Sequence, residues 1–502
     1  MGDLFLQGIL TVGTPTYLLY ILAGVTVGII FGAVPGLTAV MAITLFLPVT
    51  YGMEAALGIS LLAALYIGAT SGGLISAILL KIPGTPSSVA TCFEGHPMLE
   101  KGEGVKALGV GVVYSFIGTL LGVATLVFIA PPLAEIALQF GPHEYFSIAI
   151  FSLTLIATLS SGNMIRGIFS GAVGMACATV GLSPIDAVPR FEFGMSELSN
   201  GFAVLTVLIG LFAVSELFKV AETAHITEDA QVGKITMRNV RGFGFSLKEF
   251  FGQMPNCFRS SAIGIGVGVG ILPGIGSGTS NILAYLVAKK QSKHPEKYGT
   301  GIIDGVVASE SANNAGIGGA LVPLMTLGIP GDAVTAMLLG GFMLHGITPG
   351  PMLFMTQGAL VYTIFAALIV ASFAMLVIEF YGLRIFAHLL NVPKHILMPV
   401  ILVLCIVGAF GLNNRIFDIW TILLFGGVGY FFVKYSIAQA PFIIGFILGS
   451  MAETNFRRAL QLSDGQISGF VTTPISCLFI VLSIVSILLC IWSEWKKAKA
   501  RK

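Results

Sequence analysis

The sequence predicts an all-α polytopic membrane protein, with about 11–12 transmembrane helices plus re-entrant or broken helical hairpins. Three observations predict it. Of 502 residues, 55% are hydrophobic and only 10% charged, at a mean hydropathy of +0.93. A soluble domain carries about 25% charged residues and needs them to cover its surface. Apolar runs of about 20 residues, enough to cross a bilayer, recur along the chain. The 63 Gly and 22 Pro cluster inside those runs, where they interrupt helices. This composition excludes a soluble enzyme, a secreted domain and a nucleic-acid binder. The net charge of +2 is too small to imply a polyanionic partner.

Residues 4–12 read as a short interfacial helix leading into the membrane. They have no basic n-region and no A-x-A site before or after them, so no cleaved signal peptide is expected. Apolar runs follow at about 17–47, 55–82, 107–130, 145–160, 167–183, 199–218 and 260–288. They continue at about 302–329, 332–347, 359–378, 396–412, 419–433, 441–451 and 470–492. Residues 219–259 break the series with Lys219, Lys234, Arg238, Arg241, Lys248 and Arg259. The chain therefore divides into a first transmembrane half (1–218), a cytoplasmic central loop (219–259) and a second transmembrane half (260–502). Lys101, Lys106, Arg166 and the central loop fall on alternate turns, and the tail WKKAKARK is basic. Lys and Arg concentrate in the cytoplasm, which places these segments inside and the N-terminus outside. The six cysteines form no C-x-x-C pair and read as small buried residues.

The run 260–288 is uncharged, yet Arg259 precedes it and Lys289, Lys290 and Lys293 follow. A simple span cannot keep both ends inside. Its middle, ILPGIGSGTSN from Ile271 to Asn281, reads as a Gly-rich tip between two half-helices. The first half holds a counterpart: Gly28, Gly32, Pro35 and Gly36 align with Gly266, Gly270, Pro273 and Gly274 at an offset of 238. Likewise SGGLISAILLKIPGTPSS aligns with GGALVPLMTLGIPGDAVT at an offset of 247, anchored on Ile82-Pro83-Gly84 and Ile329-Pro330-Gly331. The first hairpin should start and end outside, the second inside. That is an inverted repeat, the arrangement by which secondary transporters set discontinuous helices around a midplane site. The alternative is that Pro-Gly pairs merely kink ordinary spans.

Each interruption exposes backbone N–H groups at a new helix N-terminus, which attracts anions. The candidate substrate residues are Pro35, Gly36 and Thr38; Gly84, Thr85, Ser87 and Ser88; Gly274, Gly276, Ser277, Thr279, Ser280 and Asn281; and Gly331. Together they would cage a carboxylate-bearing solute. The competing reading has each hydroxyl bonded to its own helix backbone. The stretch ASESANNAG then offers Glu310 and Asn314 on one helical face, with Asn313 beside them. Polar groups at this depth need a cavity or partner. They could take a proton or hold Na+ near Glu310, or form a packing cluster. Asp332 either joins this ion-coupling set or caps its own helix. His345 reads as a packed histidine, and Lys81 either snorkels or attracts the anion.

There is no G-x-x-x-x-G-K-[ST] loop and no H-E-x-x-H, and GIGSGT fails both G-x-S-x-G and G-x-G-x-x-G. No cofactor is expected, and transport would draw on an ion gradient. The segments GAVPGLTAVMAITLFLP, IPGTPSSVATCFEGHPM, GILPGIGSGTSN, ESANNAGIGGALVPLMTLGIPGDA and HGITPGP resemble the large membrane subunit of tripartite tricarboxylate transporters, the TctA family. Glu94 and His96 stand where that family commonly has Asp and Tyr. The resemblance spans nearly the whole chain. It implies a bacterial inner-membrane (plasma-membrane) secondary transporter that imports citrate or related carboxylates by symport with Na+ or H+. It also implies two partners, a small four-helix membrane subunit and an extracytoplasmic solute-binding protein. A gated pore or an intramembrane enzyme is the alternative, although no reactive constellation has the spacing an enzyme needs.

Overall fold

Helices form where the apolar runs lie. The computed structural model describes residues 2–159, 164–223, 242–273, 276–389 and 394–500. In chain order the first helices are α1 (Gly2–Val12), α2 (Pro15–Ala33), α3 (Ala39–Thr50), α4 (Ala55–Leu80), α5 (Thr91–Glu100), α6 (Gly104–Ala137), α7 (Pro142–Leu159) and α8 (Met164–Ala178). A two-stranded antiparallel hairpin, β1 (Gly181–Leu182) with β2 (Pro189–Arg190), precedes α9 (Val204–Leu208). A π-helical segment, Ile209–Val214, leads from α9 into α10 (Ser215–Thr223). Then come α11 (Leu247–Asn256), a second π segment (Cys257–Val267), α12 (Gly268–Ile271), α13 (Gly276–Gln291), α14 (Ile303–Leu327), α15 (Ala333–Leu344) and α16 (Pro351–Thr356). The chain closes with α17 (Gly358–Leu389), α18 (Lys394–Asn413), α19 (Ile416–Lys434), α20 (Gln439–Leu462), α21 (Gly469–Thr472) and α22 (Pro474–Ala500).

Among the described residues, seven helices are long and apolar enough to cross a membrane. Others, such as Ala39–Thr50 and Ala333–Leu344, are apolar but shorter. This is an all-α polytopic membrane protein. The stretch 219–259 is not loop throughout, because α11 lies inside it. Its start is a capping box: the Ser246 hydroxyl accepts from Glu249 N, and the Glu249 carboxylate accepts from Ser246 N at 2.9 Å. The free cysteines are buried or half-buried, as small packing residues are.

The chain gathers into two compact units, Met1–Ala134 with Lys219–Gly408 and Glu135–Phe218 with Ala409–Lys502. The first is built on α4 and α14, which are buried without interruption from Ala56 to Leu79 and from Gly305 to Thr326. Small residues explain how neighbours get so close. A Cβ on Gly32 would lie 2.2 Å from Ala69 O, and one on Gly68 would lie 2.3 Å from Val25 O, so α2 and α4 touch backbone to backbone. A Cβ on Gly270 would stand 2.7 Å from Gly316 O, which places α12 against α14 in the same way. Without a hydrophobic force between helices in lipid, close packing of this kind is what holds them together.

In the second unit α8 and α20 cross on glycines too: a Cβ on Gly174 would meet Phe442 O at 2.0 Å, and one on Gly445 would meet Gly171 O at 2.2 Å. Ser147 and Ser476 join α7 to α22 at 2.6 Å. Gln439 Nε2 donates to Leu211 O at 2.8 Å and to Gly429 O at 3.1 Å, so it reaches a carbonyl of the π segment. Arg190 pairs with Glu453 at 2.6 Å, and Arg457 with Asp186 at 2.7 Å. The Arg457 guanidinium, with Ser183, holds the Asp186 carboxyl well below the usual carboxylate range.

Candidate functional site

Two helices of the first unit stop at an Ile-Pro-Gly, and they stop alike. Helix α4 ends on Lys81 and α14 on Gly328, both left-handed, at φ 59° and 71°. Pro cannot continue either helix. The next turn then starts on a capping box, Thr85 with Ser88 in one and Asp332 with Thr335 in the other. The earlier interruptions also correspond. Helices α2 and α12 end on Val34 and Leu272, both extended, at ψ 116° and 121°. After the first of them, the Thr38 hydroxyl caps α3 by accepting from Met41 N at 3.2 Å.

These interruptions meet. A Cβ on Gly84 would lie 2.1 Å from Gly32 O, and one on Gly276 would lie 2.4 Å from the Asp332 Cβ. Gly276 itself has φ +61°, which favours glycine whatever the space. A Cβ on Gly278 would sit 3.7 Å from Pro86 O, and Ala90 N donates to Asn281 Oδ1 at 2.9 Å. Thr85 and Ser87 hydroxyls lie 3.0 Å apart, and Ser88 Oγ donates to Thr85 O. Ser280 Oγ donates to Ala312 O at 3.4 Å, while Thr279 is exposed. Gly331 packs on Ala320 of α14. Pro35 and Gly36 lie in the turn between α2 and α3, both half-buried. Gly274 lies outside the described residues.

The carboxylate of Asp332 is fully engaged. Thr335 N donates to its Oδ1 at 2.7 Å, the Thr335 hydroxyl does so at 2.8 Å, and Tyr66 donates to Oδ2 at 2.7 Å. The N-terminus of α15 is thus already paired with an anion of the chain's own.

Beside the interruptions runs a fully buried polar network on α14. The Glu310 carboxylate accepts from Thr91, from Ser115 at 2.9 Å and from Asn314 at 3.5 Å. Asn314 Nδ2 also donates to Ser115 Oγ at 2.9 Å, and Thr119 donates to Asn314 Oδ1 at 3.4 Å. Glu310 and Asn314 share a face, as their spacing requires. Asn313 points toward α4, donating to Thr70 O at 3.4 Å, while its Oδ1 is buried and unpartnered. These are oxygen donors of the kind that suits a hard cation. Among the described residues no three His, Cys, Asp or Glu side chains cluster as a transition-metal site would need.

Sequence reasoning missed three features. Glu379 on α17 is buried, with Ser71 donating to its Oε2 at 2.5 Å. It lies just past the run assigned to that span, and a lone acid in LVIEFYGL was the available signal. Glu94, read only as part of a turn, is a buried latch. Gly299, Gly301 and Ile302 amides donate to it at 2.5, 2.7 and 3.0 Å, and Tyr285 at 2.8 Å, fixing the entry to α14. The donors to Glu310 on α5 and α6 lie some 200 residues away in sequence (separations of 219 and 195) and carry no local signal beyond Ser115 and Thr119 sharing a face. His345 packs at Gly58, with its Nε2 buried. A cavity of about 320 Å³ lies away from the tips, between Met98, Lys106, His294, Lys297 and Asp304.

The sequence profile of the tripartite tricarboxylate transporter TctA family matches residues 18–444. The chain belongs to the TctA family. An uncharacterized 52.8 kDa protein of the TAR-I ttuC' 3' region of Agrobacterium vitis is 32% identical over 484 residues, covering 96% of this chain and 95% of that protein. An uncharacterized protein of the TAR-II ttuC' 3' region of the same organism is 35% identical over 226 residues, 45% of this chain and 93% of that protein. The interruptions and the buried network all fall inside the stretch matched to the TctA profile. TctA is a family of transporters, and this member is an integral membrane protein.

Proposed function

We propose that this TctA-family chain is the translocating subunit of a binding-protein-dependent secondary transporter in the bacterial inner membrane. It imports tricarboxylates such as citrate, or related carboxylates, by symport with Na+ or H+. An extracytoplasmic solute-binding protein delivers the substrate, and a small four-helix subunit completes the complex. The observation that carries this reading is the convergence of broken helices around Gly84, Gly276 and Asp332, within one unit and next to a buried acid. The matching caps at offsets of 238 and 247 support a duplicated chain, with halves on either side of the central stretch. An inverted arrangement of those halves follows from the charge pattern.

A carboxylate that leaves water loses several hydrogen bonds, and an unpaired charge in apolar surroundings is prohibitively costly. No Arg stands in the tips, so the compensation comes from helix N-termini, backbone N–H groups and small hydroxyls around Thr38, Thr85–Ser88 and Gly276–Asn281. Such weak, multiple donors bind and still release. The Asp332 carboxylate occupies the N-terminus of α15, so Gly331 would bound the cage on its electronegative side. Glu310, with Asn313 and Asn314, takes the coupling cation.

The test is uptake by proteoliposomes holding the complete three-part system. Calorimetry first identifies which of a panel of di- and tricarboxylates the binding protein holds. Uptake of that acid should require an imposed Na+ or H+ gradient, and Glu310→Gln should abolish accumulation at normal abundance. Downhill flux indifferent to both gradients and to the substitution would establish the gated pore instead.

A further inference from the structure

Glu379 has no place in the reading above, and its surroundings are unusual for an acid. It is fully buried on α17, with one hydroxyl donor, Ser71, on its Oε2. Its Oε1 has no hydrogen-bond partner among the described residues. Glu310, by contrast, has three donors. No Lys or Arg pairs with either acid among the described residues. Helices α1, α2, α4, α6 and α16 and the stretch at Phe243 pack against α17. The titratable side chains they bring are Asp3 on α1, Tyr17 and Tyr20 on α2, Tyr66 on α4, which serves Asp332, and on α6 Glu135, Lys106, which pairs with Glu249, and Tyr114, which donates to Phe250 O. On α17 itself Tyr362 and Tyr381 are the described titratable groups besides Glu379. None of these donates to Glu379.

Adjacent residues of α4 connect the two acids. Ser71 holds Glu379, and the carbonyl of Thr70 holds the Asn313 amide, three residues along α14 from Glu310. The two unpartnered buried acceptors, Glu379 Oε1 and Asn313 Oδ1, therefore flank one turn of one helix. A buried acceptor without a donor calls for a proton, a water or an ion. A single hydroxyl donor offsets little of the desolvation cost of a fully buried ionised carboxylate. A protonated carboxyl needs no such compensation, and its proton supplies charge balance for two buried acids joined through α4.

We infer that Glu379 is a second, proton-carrying acid of the ion-coupling site, held in place by Ser71; this rests on the transport reading of Glu310. In each cycle the Glu379 carboxyl releases its proton to water when the site opens to the less acidic side, and takes one up when it opens to the other. Coupling then draws on H+.

The test begins with the purified full-length chain and needs no substrate. Infrared difference spectra between acid and alkaline buffer should contain a protonated-carboxyl C=O band. Glu379→Gln, which keeps the side-chain shape and the Ser71 contact, should remove part of that band. Ser71→Ala should shift the same component to higher frequency, because the carboxyl loses its hydrogen bond. An unchanged band in Glu379→Gln overturns the inference. So does a wild-type carboxyl that responds to Na+ and not to pH. The complete system in proteoliposomes supplies the second arm: Glu379→Gln should lose uptake driven by a pH gradient, and normal pH-driven uptake overturns the coupling role. If Glu310→Gln transports normally while Glu379→Gln loses its band and pH-driven uptake, the Glu310 reading fails and the Glu379 assignment stands.

Discussion

The interruptions at 81–88 and 328–335 have one backbone and two chemistries. In both, a long buried helix ends on a left-handed residue, a Pro stops it, and the next turn starts on a capping box. The first break is capped by hydroxyls alone, with Thr85 N donating to Ser88 Oγ, and the second by the carboxylate of Asp332. A hydroxyl cap satisfies one N–H and leaves the partial positive charge of the turn in place. A carboxylate cap satisfies the same N–H and cancels that charge. On the proposed reading, two similar chain breaks thus differ in charge, and the hydroxyl end would accept an anion where the carboxylate end would not. Asymmetry of this kind would give a substrate a preferred side inside a near-symmetric scaffold.

The largest expected effect tests whether the two interruptions must touch. Gly276→Val places a Cβ 2.4 Å from the Cβ of Asp332 at φ +61°. A left-handed backbone alone costs an L-residue roughly 1–2 kcal/mol. Uptake should be abolished, and Gly276→Ala should lose most of it. Transport like the parent's in both would mean that the 276 tip and the 332 cap move independently.

The next effect breaks the chemical difference directly. Thr85→Asp gives the first interruption the second one's cap. Asp is at least as good an N-cap as Thr, but position 85 is buried, so uptake is compared at matched abundance of folded protein. Uptake should fall at least ~10-fold, about 1.4 kcal/mol of lost anion stabilisation. Unchanged uptake would place the substrate elsewhere. The converse, Asp332→Asn, keeps a good cap but removes the charge: Thr335 can still donate to Oδ1, and the new Nδ2 can donate to the Tyr66 hydroxyl. A drop of about two- to threefold, or roughly 0.5 kcal/mol, is expected.

The smallest effect concerns a helix outside both interruptions. The Lys106 ammonium donates to Glu249 at 2.5 Å, and with the Ser246 cap it pulls the Glu249 carboxyl from an ordinary 4.5 down to about 2. A folded value below the unfolded one means this stabilisation is present above pH 4.5 and is lost as pH falls toward 2. Glu249 is 39% exposed, so solvent screens the pair and its worth is at most about 1 kcal/mol. Amide exchange in α11 should rise slightly in Glu249→Gln at neutral pH, and the difference from the parent should vanish in strong acid. An equal difference at both pH values would remove the ion pair as its cause.

Much of this was legible in the chain. Span positions follow from hydropathy, because a bilayer accepts only backbone that bonds to itself. The breaks follow from Pro-Gly, because Pro removes a donor and clashes with the preceding turn. Glu310 and Asn314 follow from helical spacing. The sequence also carried the pairing of the interruptions, since equal offsets put Thr85 opposite Asp332 and Ser88 opposite Thr335. Helix α11 was legible in Ser246 and Glu249 but was hidden by the charge of its surroundings.

What only the tertiary structure decided is who meets whom. Nothing in the order of residues says that Gly276 lies against Asp332, that Thr91 and Ser115 reach Glu310, or that Ser71 holds Glu379. Those contacts join residues 56 to 308 positions apart. They are set by which glycine faces let backbones approach, and a one-residue rotation of a helix would exchange them all. The sequence by itself determined where the helices run and where they break, because those depend on local backbone chemistry and the solvent. The structure decided which acids share a helix neighbour and which end keeps its positive charge, because those depend on packing across the unit.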